Sequence, residues 1–181
     1  CFPRQHKFNL SIRTRWECVV LYAFFVTISQ EAFKGESDMR EKYVPQAEIE
    51  FRIHRLQKSL LREQIEAVLV AYKMDYFYLS GQAQDSILFV PAEGKPLLLV
   101  LRDIDRAKKE SPLEQVVPLD SIVELPKVIK NFYGTLPRRI GLELDVVPVR
   151  DYFRYQELFL KAEIVDSAKI IKQLRMNKSP F

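Results

Sequence analysis

Apolar residues at Ile49, Ile53, Leu56 and Leu60 recur at spacings of four, three and four, which is one face of an amphipathic helix. Arg55, Lys58 and Arg62 fall on the opposite side. "AVLVA" at 67–71 then runs apolar without a break, as a strand covered on both faces does. "MDYFYLSG" reads as a short helix or turn closed by Gly81. "SILFV" and "PLLLVL" are apolar strands joined by "PAEGK", so they predict a hairpin. "DIDRAKKES" follows as a charged helix with Asp103 near its start and lysines near its end, as the helix dipole favours, and Pro112 stops it.

The second half alternates. "QVVPL" is a short strand, and "DSIVELPKVIKNFYG" is a helix starting near Val123, which puts Pro126 in its first turn. "RRIGLEL" is a strand. "PVRDYFRYQELFL" is a helix whose inner side would be sampled by Val149, Tyr152, Phe153, Gln156 and Phe159. "AEIVDS" reads as an edge strand and "AKIIKQLRMNK" as the last helix. Strands alternating with helices predict a three-layer α/β domain. The hairpin makes its sheet mixed, with about six strands flanked by helices. There is no internal repeat and no low-complexity segment.

Composition refines this picture at one place, the N-terminal end. The chain of 181 residues is 48% hydrophobic and 29% charged, an ordinary globular balance, with a net charge of +4. Both signs are interleaved, so the charge reads as a solvated surface and not as a nucleic-acid face. Residues 1–38 differ from the rest: they hold both cysteines, Cys1 and Cys18, and an apolar run, "CVVLYAFFVTI", behind Arg4, Lys7, Arg13 and Arg15. That run is shorter than the roughly 20 residues a spanning helix needs, so no membrane anchor is expected. It resembles a signal peptide in part, but no small-x-small cleavage site follows. "KGESDM" back-translates to a ribosome-binding site ahead of Met39, so residues 1–38 read as translated upstream sequence or, alternatively, as a targeting or exported segment. The fold is expected over 39–175.

Candidate chemistry is sparse. From Met39 onward there is no cysteine and one histidine, His54, off the apolar stripe of the first helix. That excludes a thiol nucleophile, a thiolate metal site and a disulfide framework there, and it agrees with a reducing, cytoplasmic setting. A His-based metal site or a Ser-His-Asp triad has no second group to orient it. Glu143 and Asp145, two apart in "GLELD", would face one side of a strand end as solvated acids. No phosphate-binding glycine motif occurs. "DYFYLSGQAQDS" is the one loop that looks more than structural, with Tyr76, Phe77 and Tyr78 ahead of Gly81 and a polar run. The plainer reading is that two of these aromatics are core and the third covers them.

In this order, "RIHRLQKSLLREQIEAVLV", "DYFYLSG", "SILFVPAEGKPLLLV" and "RRIGLELD" resemble the N-terminal domain of the creatinase, prolidase and aminopeptidase P family over residues 46–181. "IIKQLRMNKSPF" is similar to that family's junction, and 176–181 would lead into a catalytic domain that is missing here. The resemblance implies a pita-bread metallopeptidase as parent, with two divalent metal ions held by two aspartates, one histidine and two glutamates. None of those ligands maps onto this chain, so no catalytic or metal residue and no cofactor is assigned to it, and whether it is an enzyme is left open. What the resemblance implies instead is a supporting role: homodimer formation and narrowing of access for proline-containing peptides. Tyr78, Ser80 and Gly81 are the residues expected on a substrate-access or dimer-interface loop. The alternative is a free-standing interaction or small-ligand-binding module with the same fold and no peptidase activity.

Overall fold

The computed structural model describes residues 43–176, which belong to one compact unit. The expectation for residues 1–38 and, apart from Met176, that for the junction at 176–181 lie outside the described residues. Helix α1 (Gln46–Arg62) starts after Pro45 and buries Ile49, Ile53, Leu56 and Leu60, the stripe that the spacing predicts. Strand β1 (Ala67–Val70) is buried at every residue. Helix α2 (Lys73–Ser80) and the hairpin β2 (Ser86–Pro91) and β3 (Leu97–Val100) follow. Helix α3 (Ile104–Glu110) is capped by Asp103, whose carboxylate accepts the Arg106 N–H at 3.1 Å. Strand β4 (Val116–Pro118), a short 3₁₀ turn (Ile122–Glu124) and helix α4 (Leu125–Tyr133) come next, with Pro126 in the first turn of α4. Strand β5 (Arg139–Leu142), helix α5 (Val149–Leu158), strand β6 (Glu163–Asp166) and helix α6 (Ala168–Met176) complete it.

The sheet runs β4-β3-β2-β1-β5-β6. Strand β1 is parallel to β5 and β5 to β6, and β3 is parallel to β4, whereas β2 is antiparallel to both of its neighbours. The six-stranded mixed sheet is therefore as predicted, with one reversed strand near its middle. Alternation along the strands divides the core in two. Val68, Val70, Leu88, Val90, Leu98 and Val100 face α1, α2 and α6, packing on Ile49, Leu56, Leu79, Ile171 and Leu174. Leu69, Ile87, Phe89, Leu97, Leu99, Ile140 and Leu142 face the other way, onto Leu125, Ile129, Tyr155 and Phe159.

Two expectations need correction. Helix α5 does not turn Val149, Phe153 and Gln156 inward: Val149 is 70% and Phe153 57% exposed, and Gln156 is also exposed. Its inner side is Tyr152, Tyr155, Leu158 and Phe159, because the helix contacts the sheet along a stripe shifted by two residues. Glu143 and Asp145 do not share a face either. Strand β5 ends at Leu142, the chain turns, and the two acids part, with Glu143 buried and Asp145 exposed.

Candidate functional site

The segment nominated from sequence is mostly helix. Of its three aromatics, Tyr76 is core, Tyr78 is half-buried and Phe77 is 41% exposed. Gly81 closes α2 in the left-handed conformation, with φ of 74°, and its N–H donates to the Phe77 carbonyl at 2.9 Å. Ser80 is fully buried: its Oγ donates to the Tyr76 carbonyl at 2.6 Å, and its own carbonyl accepts the Ser111 hydroxyl at 2.7 Å. The polar run beyond Gly81 also turns inward. Gln82, wholly buried, donates through Nε2 to Ser86 Oγ at 2.6 Å and accepts the Gln84 N–H at 2.5 Å. These polar side chains are interior because they satisfy one another and the backbone.

Of the three nominated residues only Tyr78 reaches the surface. Its ring carries the Arg52 guanidinium 4.2 Å from the centroid, and its hydroxyl donates to the Leu174 carbonyl of α6 at 3.1 Å. A groove of about 270 Å³ lies on the far side of Gly81, lined by Gln46, Ile49, Ile53, Pro96, Pro112 and Leu113. A Cβ on Gly81 would stand 3.5 Å from Pro112 Cδ and 3.8 Å from Ile49 Cδ1. The nominated segment therefore backs the wall of this groove and does not open into it.

A second polar group was missed by sequence reasoning. It forms at the carboxyl ends of β1 and β5, where open α/β sheets gather function. Glu143 Oε2 accepts the backbone N–H groups of Ala71 and Tyr72, both at 2.9 Å, at the start of α2. Asp75 in the first turn of α2 is buried beside it and is ion-paired with Arg175 of α6. Burial, with Asp75 as neighbour, pushes the Glu143 carboxyl up to about 9, against the pull of its two backbone donors. Nearby, Ser167 packs into the space that Gly141 leaves on β5. The available signal was the lone acid directly after an apolar strand, but periodicity does not distinguish a buried carboxyl from a solvated one.

His54 is exposed on α1. Among the described residues there is no group of three or more His, Cys, Asp or Glu side chains placed to hold a metal ion.

The chain forms a three-layer α/β domain with one reversed strand and polar groups buried at its strand ends. Residues 52–177 match the family described as the creatinase/prolidase N-terminal domain, and the chain belongs to that family. No curated protein matches. Among solved structures the chain is similar to a proline dipeptidase from Streptococcus pneumoniae (22% identity, TM-score 0.59), covering 70% of this chain and 98% of that one. It is similar to the N-terminal domain of the cytoplasmic peptidase PepQ from Mycobacterium tuberculosis (19% identity, TM-score 0.58), covering 68% of this chain and 98% of that one. The X-Pro aminopeptidase from Thermotoga maritima is 25% identical with a TM-score of 0.60, covering 70% of this chain; the chain spans 36% of that protein's length.

Proposed function

We propose that this chain serves as the non-catalytic N-terminal domain of a metal-dependent Xaa-Pro peptidase of the prolidase and aminopeptidase P kind. The observation that carries the reading is the family match over residues 52–177, supported by similarity to domains that occupy about a third of a longer X-Pro aminopeptidase. In this reading the two divalent ions belong to a catalytic domain joined to this one, and the peptide substrate contains proline. The domain contributes to homodimer formation and narrows the route to the metal centre. In this reading Tyr78 is the residue of the nominated segment that touches a neighbour, while Ser80 and Gly81 hold the backbone behind it. A cytoplasmic setting is supported by the cytoplasmic relative from M. tuberculosis, and no helix among the described residues is long and apolar enough to cross a membrane.

Two measurements test this. The chain alone, given Xaa-Pro peptides with manganese, cobalt or zinc, is expected to show no turnover above a metal-only blank; turnover would overturn the non-catalytic assignment. Sequencing the DNA 3′ of the Phe181 codon is expected to give an open frame supplying two aspartates, one histidine and two glutamates. The groove beside α1 favours the second reading, a free-standing binding module, and a stop codon after Phe181 would select it.

A further inference from the structure

Two carboxyls and one guanidinium meet where the end of β5, the start of α2 and helix α6 converge. Glu143 is 1% exposed and Asp75 5% exposed, so both carboxyls are largely shielded from water. One oxygen of Glu143, Oε2, is satisfied by two backbone N–H groups. The other, Oε1, is buried without a donor. The neighbouring charged side chain in this buried corner is Asp75, another carboxyl, whose own cation is Arg175. Among the described residues no cation pairs with Glu143.

The charge count then decides. With both acids ionised, two buried negative charges would share one arginine, and a bare oxygen would face a carboxylate. Burying an uncompensated charge in this way is costly, and such a group neutralises instead. One proton on Glu143 Oε1 removes both faults: it supplies a donor to Asp75 and leaves a single carboxylate for Arg175. We propose that Glu143 holds this proton at neutral pH and that the carboxyl–carboxylate pair with Asp75 is a proton-dependent latch fastening α6, through Arg175, to α2 and the sheet.

Other contacts agree with this arrangement. The Tyr78 hydroxyl, also on α2, holds the Leu174 carbonyl next to Arg175. The remaining charged or titratable neighbours do not supply a second cation to Glu143. Lys172 of α6 is paired with Asp145 and feels Asp75 and Asp166 at longer range. Tyr155 of α5 is itself raised to about 12 by burial first, then by Asp151 and Glu143. The Glu143 value of about 9 stands against about 4.3 for a glutamate in an unfolded chain. Between those limits the folded state holds one proton that the unfolded state has lost. The stabilisation is thus fully present below about pH 4.3 and is lost as pH rises through about 9. This group alone raises the unfolding constant by about tenfold per pH unit across that window.

The latch does not rest on the peptidase reading and is tested on the full 181-residue chain. In protein labelled with ¹³C at glutamate carboxyls, the Glu143 resonance is expected at its protonated position at pH 7, moving near pH 9. A resonance already ionised at pH 7 would overturn the proposal, whatever any variant does. Glu143→Gln places an amide N–H where the proton sits and keeps an oxygen for the two backbone donors. It is expected to flatten the pH dependence of urea unfolding by about one proton, and to keep the amides of α6 protected from exchange above pH 9.5, where the wild type loosens. An unchanged pH dependence in Glu143→Gln would also overturn it.

Discussion

The Arg52 guanidinium sits 4.2 Å from the centroid of the Tyr78 ring while its Nη1 donates to the Tyr78 carbonyl at 2.9 Å. One side chain of α1 thereby grips both the ring and the backbone of α2. Arg52 is only 5% exposed and its Nε is ion-paired with Glu48, so the cation is held in place before it meets the ring. Arg52→Met is expected to cost about 1–3 kcal/mol, because it removes a donor from the part-buried Tyr78 carbonyl and Glu48 carboxylate. Tyr78→Phe, which keeps the ring and loses the hydroxyl to Leu174, should cost about 1 kcal/mol. A double-mutant cycle between Arg52→Met and Tyr78→Leu should give a coupling of about 1 kcal/mol in urea unfolding. Additive effects would mean that the stacking contributes nothing.

Gly141 is a glycine for lack of room. It lies in the middle of β5, and a Cβ there would come 2.8 Å from Ser167 Cβ and 3.2 Å from Val68 Cγ2. Gly141→Ala should therefore destabilise by about 1–3 kcal/mol through overpacking between β5 and the start of α6. Ser167→Gly removes the nearest atom and should recover most of that loss in the double variant. If the double variant is no better than Gly141→Ala, the obstruction lies at Val68 instead.

Helix α5 shows where periodicity stops being informative. Its sequence offers Tyr152, Phe153, Tyr155, Leu158 and Phe159, enough apolar residues to trace two overlapping stripes, and the spacing does not say which one meets the sheet. Contact with Leu69, Ile140 and Leu142 decides, and it selects Tyr155 and Phe159 over Val149 and Phe153. Tyr155→Ala should cost about 3 kcal/mol. Phe153→Ser should stay within about 0.5 kcal/mol, as surface changes do. Thermal unfolding of the two variants separates the stripes, and a large loss in Phe153→Ser would restore the inner face expected from sequence.

The same limit explains why the sheet was legible and the polar interior was not. Runs such as "AVLV" and "LLLV" have few alternatives to buried strands, and Pro126 and Gly81 punctuate helices by local stereochemistry. Read in order, these pieces carried the family resemblance. By contrast, Glu143 and Arg52 are buried polar residues with partners far along the chain. Arg52 meets Tyr78 26 residues away, and Glu143 meets Tyr72 71 residues away. A polar residue becomes an interior one only when such a partner exists, so its burial is a property of the assembled fold.

Gly81 gives a contrasting test within the nominated segment. Its φ of 74° is a left-handed conformation, but a Cβ there would meet neighbours no nearer than 3.5 Å. The restriction is thus conformational and not one of space. Gly81→Ala should cost about 1–2 kcal/mol, from placing an L-residue in the left-handed region. Gly81→Asn should cost less, since asparagine visits that region more readily. Because the added Cβ would point to ordinary contact with Pro112 and Ile49, neither change should close the groove that those two residues line. Equal costs for Ala and Asn would show that contact, not backbone conformation, sets the requirement, and would make Gly81 part of the groove wall.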